Sequence, residues 1–166
     1  MNKILLSISL IFSFSVLTSA QQTVFSDDFE SYLAGQQLAC QNPTDWTTWT
    51  SAPCGGEDAM VSSAQALSGT KSFVVVPVND LVKPLNDIAS GKWEMRWSMY
   101  LPTGRSAYFN TLSIFAAGTS EWAMQAYLNV GGTGTLDAGA TSAATFSYPY
   151  NTWFPVSVIV DIDNDV

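Results

Sequence analysis

Lys92-Trp93-Glu94-Met95-Arg96-Trp97-Ser98-Met99-Tyr100-Leu101 alternates along its whole length: Trp93, Met95, Trp97, Met99 and Leu101 are apolar, and Glu94, Arg96, Ser98 and Tyr100 between them carry polar groups. A period of two belongs to a β-strand with one face in a core and the other in water; a helix would return its apolar residues every three or four positions. The neighbouring sequence repeats the pattern. Pro102-Thr103-Gly104-Arg105 reads as a turn, and residues 108–116 as a second strand with Leu112 and Ile114 on one side and Thr111 and Ser113 on the other. After Gly118-Thr119-Ser120, the segment 121–129 places Trp122, Met124, Ala126 and Leu128 inward and Ala123, Gln125, Tyr127 and Asn129 outward. Gly131-Gly132-Thr133-Gly134 is a hairpin signal leading into Thr135-Leu136-Asp137. Residues 143–148 form another short strand, and Phe154, Val156, Val158, Val160 and Ile162 give a last one an apolar face. Upstream, residues 23–29, 60–62 and 72–78 supply three more. Strands of this kind, with no long helical period among them, predict an all-β domain of two antiparallel sheets packed face to face.

Composition narrows the chemistry. The 166 residues include 14 Asp+Glu, 6 Lys+Arg and no histidine, a formal charge of -8. Without imidazole there is no Ser-His-Asp or Cys-His catalytic unit and no His-ligated zinc. The acidic balance opposes binding to nucleic acid or an anionic membrane, both of which need Lys and Arg to neutralise phosphate. A hydrophobic content of 47% supplies a core, so disorder is excluded.

The start of the chain reads as an export signal. Met1-Asn2-Lys3 is a short positive start, residues 4–17 are largely apolar, and Thr18-Ser19-Ala20 offers small residues for a signal peptidase. The apolar run is too short to span a bilayer and no basic stop-transfer cluster follows it. Residues 1–20 are therefore expected to be a signal peptide and 21–166 the mature domain, secreted or at the cell surface. Cys40 and Cys54 are then expected to form a disulfide, which would stabilise the fold by about 3 kcal/mol. At the other end, Asp161-Ile162-Asp163-Asn164-Asp165-Val166 is turn-like, and an antiparallel chain would be expected to return after it. The expectation is a domain that lacks its last strands.

Several segments together carry a family resemblance. They are Val24-Phe25-Ser26-Asp27-Asp28-Phe29-Glu30-Ser31-Tyr32, Pro43-Thr44-Asp45-Trp46, Ser68-Gly69-Thr70-Lys71-Ser72, Trp153-Phe154-Pro155-Val156 and Val160-Asp161-Ile162-Asp163-Asn164. With them the chain resembles a secreted Bacteroidetes domain, a concanavalin A-like, LamG-like jelly roll found near the N-terminus of multidomain proteins. The resemblance covers most of the mature chain. It implies a jelly-roll sandwich and, in the full protein, a sorting domain for type IX secretion. It also implies further strands after the Asp-Asn-Asp turn.

Related jelly rolls include glycoside hydrolases, which work with a carboxylate pair. The Glu-x-Asp-x-x-Glu pattern of the laminarinase-like members is absent here, and Glu94 and Glu121 open or punctuate separate strands. A non-catalytic recognition or adhesion module for an extracellular glycan or cell-surface polymer is the leading expectation, and a glycan-degrading enzyme of the same fold the alternative. Sugar recognition needs aromatic rings for the apolar pyranose faces and amides or guanidinium for the hydroxyls. The outward residues Arg96, Tyr100, Gln125, Tyr127 and Asn129 have that composition and are expected to share one sheet face. Trp46 and Trp49, between the cysteines, are open to two readings, a second aromatic platform or a plug beneath the disulfide. Asp27, Asp28 and Glu30 likewise have two, hard oxygen ligands for a structural Ca²⁺ or solvated acidic turns.

Overall fold

The computed structural model describes residues 22–116, 118–139 and 141–164, so the signal peptide expected over 1–20 lies outside the described residues. In chain order the elements are α1 (Leu38–Gln41), β1 (Thr47–Thr48), β2 (Met60–Ser62), β3 (Ser72–Val74), β4 (Leu81–Val82), β5 (Lys92–Tyr100), β6 (Ala107–Ile114), β7 (Glu121–Asn129), β8 (Thr133–Asp137), β9 (Ala144–Ser147) and β10 (Trp153–Asp161). Every strand pairing is antiparallel, and the fold is all-β apart from the single turn of α1.

The alternation in the tryptophan-rich strand is spent as its period requires. β5 pairs with β10 over nine positions, so that Met95, Trp97 and Met99 lie opposite Val158, Val156 and Phe154 on one shared apolar side. β6 to β9 form a meander in the order β6-β7-β8-β9. The apolar side of the β5–β10 pair packs on this meander: Met99, Leu101 and Phe154 join Ala107, Phe109, Leu128, Phe146 and Tyr148 in one core. The Trp97 and Phe109 rings meet edge to face across the layers, with centroids 4.9 Å apart. The two strands at the ends of the 92–161 stretch therefore close around the hairpins between them.

The N-terminal half departs from expectation. Residues 23–29 do not form a strand, because Asp27 and Asp28 offer the backbone a nearer partner: Phe29 N–H donates to Asp27 Oδ1 at 2.9 Å and Glu30 N–H to Asp28 Oδ1 at 3.1 Å. Phe29 takes a left-handed φ of 64° and drops its ring against Tyr32, Trp46 and Phe73, in a second core built on Tyr32, Leu38 and Val61. The strand expected over 72–78 stops at Val74; beyond it Val76 N–H is taken by Asn79 Oδ1 at 2.8 Å. Among the described residues the strands hydrogen-bond in four groups: β1–β4, β2–β3, β5–β10 and the meander. The short sheets belong to the half of the chain in which loops, and not ladders, carry the backbone bonds.

Those loops are held by the expected disulfide and by one carboxylate. Cys40 and Cys54 are bonded, with Cα atoms 4.6 Å apart. Beneath the bridge Asp58, 1% exposed, accepts the N–H groups of Ala39 (2.9 Å), Cys40 (2.8 Å) and Cys54 (3.2 Å). It thereby joins the start of α1 to the far side of the loop.

At the opposite end, the Tyr148 hydroxyl donates to the Asn129 carbonyl and lies 3.2 Å from that of Tyr150, which accepts from Gly131 N–H at 3.0 Å. Burial, and after it the contact with Tyr150, pushes the Tyr148 pKa up from 10.0 to about 12. A pKa raised on folding contributes stability that is whole below pH 10.0 and is lost as the pH rises toward 12. On the acid side, Glu30 is lowered from 4.5 mainly by the Thr70 N–H, and Glu57 from 4.5 mainly by the Thr50 N–H. Their contribution is present above 4.5 and disappears as the pH falls below it. A melting temperature measured across pH is expected to hold a plateau between these limits and to fall on both flanks. A flat profile through the alkaline flank would show that Tyr148 is not buried as described.

Candidate ligand-binding face

The side of the β6–β9 meander turned away from the β5–β10 pair carries a row of polar and aromatic residues. Register puts Tyr108 opposite Tyr127 and Asn110 opposite Gln125, then Gln125 opposite Asp137 and Tyr127 opposite Thr135. Gln125 organises this row. Its Oε1 accepts the Tyr108 hydroxyl at 2.9 Å and the Tyr127 hydroxyl at 3.1 Å, while Asn110 Nδ2 donates to the Tyr108 oxygen at 3.1 Å. The two phenol rings stand 5.1 Å apart, tilted by 47°. One amide oxygen thus fixes both rings, and the amide N–H groups of Gln125 remain on the same face.

A bulge extends the row. Thr111 pairs with Met124, but Leu112 pairs with Trp122, so β7 carries one extra residue at Ala123. The alternation predicts Trp122 inward; the bulge turns it out, 49% exposed, beside the Tyr108 hydroxyl. There its indole stacks on Trp49 with centroids 5.9 Å apart and planes within 24°. Burial raises the Tyr108 pKa, opposed by the Asn110 amide, and the charge of Asp80 is also felt there. Trp49 is carried by the disulfide loop and held by its N–H donating to the Asp80 carbonyl at 3.0 Å. Burial, with Glu57 nearby, raises the Asp80 pKa. Glu57 is itself held by Thr50 N–H and Oγ1 at 2.9 and 2.8 Å, and both residues line a shallow cleft of about 530 Å³.

Of the five residues expected to act together, Gln125, Tyr127 and Asn129 lie on this face and Arg96 and Tyr100 do not. β5 turns its apolar side to the meander, so its polar side faces outward from the opposite surface of the layer pair. There Arg96 Nε donates to Glu94 Oε1 at 2.5 Å, Ser157 Oγ donates to the same oxygen at 2.6 Å, and Tyr100 tilts against Trp153. The expectation of one shared face is corrected on that ground. Tyr108, Asn110 and Trp122 are the residues it missed. The first two were legible from the period of two on β6; Trp122 depends on the bulge.

The acidic residues named as possible calcium ligands, Asp27, Asp28 and Glu30, are each engaged within the fold. Asp27 Oδ2 accepts the Tyr32 hydroxyl at 2.5 Å and the Trp46 N–H at 3.1 Å, and Glu30 is taken by Thr70 and Lys71. Asp28 is committed to the Glu30 N–H. These carboxylates tie the N-terminal segment to the core, and among the described residues no three His, Cys, Asp or Glu side chains are placed to hold a metal. The two readings of the loop tryptophans separate too: Trp46 packs in the core with Phe29 and Phe73, and Trp49 joins the exposed face.

No protein-family model, curated protein or solved structure matches the chain. Among the described residues no helix is long and apolar enough to cross a membrane.

Proposed function

We propose that the chain is a secreted, non-catalytic recognition module of the concanavalin A-like jelly-roll type, and that it binds carbohydrate on the outer face of the β6–β9 meander. The observation that carries this reading is the Tyr108–Tyr127 pair locked onto the single Gln125 amide, with Trp122 alongside. Pre-positioned rings lose little side-chain entropy when a pyranose settles on them, and the amides beside them supply hydrogen bonds to its hydroxyls. The layer packing of β5 and β10 on the meander supports the jelly-roll reading, and the apolar leader with its small-residue end supports secretion.

Tyr108→Ala combined with Tyr127→Ala is expected to weaken polysaccharide binding by about tenfold or more, the loss of about 1.5–3 kcal/mol of stacking. Affinity-gel retardation measures it. Arg96→Ala, on the opposite surface, is expected to leave retardation unchanged. Equal retardation of the double variant would remove this face from the proposal, and release of reducing ends in the same mixtures would replace recognition by glycan degradation.

A further inference from the structure

We infer that the ligand of this face is an uncharged polysaccharide, and that polyuronates and sulfated glycans are rejected. The inference rests on the recognition reading above and narrows its ligand class. Strands β6 to β9 contain no Lys or Arg, and the charges they do carry are Glu121 and Asp137. Asp80 adds a third carboxylate at the Trp49 side, near enough for its charge to reach Tyr108. A uronate or sulfate group set among these rings would be stripped of water beside like charge, with no guanidinium or ammonium on these strands to pair with it.

Four of the five cations among the described residues are engaged by their own partners. Lys71 Nζ donates to the carbonyls of Glu30 and Tyr32. Lys83 is paired with Asp45 and sits over the Phe25 ring, Lys92 pairs with Asp161, and Arg96 pairs with Glu94 on the far surface. Arg105 lies in the turn before β6. The groups that do line the face, phenol hydroxyls, carboxamides and the hydroxyls of Thr133, Thr135 and Thr145, are those that exchange hydrogen bonds with neutral sugar hydroxyls.

The test is an affinity-gel panel on the purified full chain, with laminarin, mixed-linkage β-glucan, xylan and mannan as uncharged polymers, and alginate and polygalacturonate as anionic ones. Retardation is expected with at least one uncharged polymer and with neither anionic polymer. The affinity is expected to change less than about twofold between about 0.05 and 0.5 M NaCl, because no ion pair is there to be screened. Arg105→Ala is expected to leave it unaltered. Retardation by an anionic polymer, or binding that weakens severalfold with salt, would overturn the inference while leaving a glycan-binding face in place. Retardation by none of the polymers, or by all alike in the Tyr108→Ala, Tyr127→Ala double variant, would instead remove the face itself.

Discussion

Gly134→Ala is expected to cost the fold about 2–4 kcal/mol and to lower the melting temperature by roughly 10 °C. Gly134 is buried in β8, between Leu128 of β7 and Phe146 of β9. A Cβ there would run into the Phe146 ring and lie 2.7 Å from the Tyr127 carbonyl oxygen. Neither obstacle can give way cheaply. Phe146 is packed in the core with Leu128 and Tyr148, so moving it leaves a cavity, and the Tyr127 carbonyl belongs to a strand of the central sheet. Gly56→Ala is the matched control: it meets nothing within 4 Å and is expected to change stability by less than about 0.5 kcal/mol. Thermal or denaturant unfolding measures both. An unshifted midpoint for Gly134→Ala would mean that Phe146 does not close over β8. Because Tyr127 sits directly opposite Thr135 in the same pair of strands, partial displacement should also weaken ligand binding in whatever fraction remains folded.

The second large effect belongs to Asp58→Ala, expected to destabilise by about 2–4 kcal/mol. Removing the carboxylate leaves three N–H groups, those of Ala39, Cys40 and Cys54, without their acceptor, the first of them fully buried. Asp58→Asn retains one acceptor oxygen but aims an amide donor at the remaining N–H groups, so it is expected to recover only part of the loss. The Cys40–Cys54 bond persists in both variants, and unfolding under non-reducing conditions isolates the carboxylate. The loop fastened here also carries Trp49, so the Trp49–Trp122 stack should loosen with it, and tryptophan fluorescence reports that separately. A wild-type midpoint in Asp58→Ala would show that the disulfide alone holds the loop.

What was legible in the sequence follows from where the physics is local. β7 occupies residues 121–129 and β2 residues 60–62 as read, because a long alternation or a short run between turn residues needs nothing from outside to define it. β1 and β4 are two residues each, too short for any period, and α1 is a single turn lacking a side-chain cap of its own. Its anchor is Asp58, far along the chain, and so invisible to a local pattern. The segment 23–29 misled because its Val and Phe resemble a strand, while the two aspartates that fold it back speak for loops. The binding face was half legible. Gln125, Tyr127 and Asn129 followed from alternation, but whether β5 stood beside β7 or behind it was a question of topology that period alone could not answer.

β10 spends one of its edges on β5, and its third residue is Pro155, opposite Ser98. Proline has no N–H, and an antiparallel ladder tolerates it only where that group would point away from the partner. The missing donor therefore belongs to the outer edge of β10, at the third of its nine residues. A strand arriving there, from another molecule or from a misaligned copy, would find its hydrogen-bonding rhythm broken near the start of β10. One imino acid thus serves as a guard on a long edge, and makes the outer side of β10 a poor template for uncontrolled sheet growth.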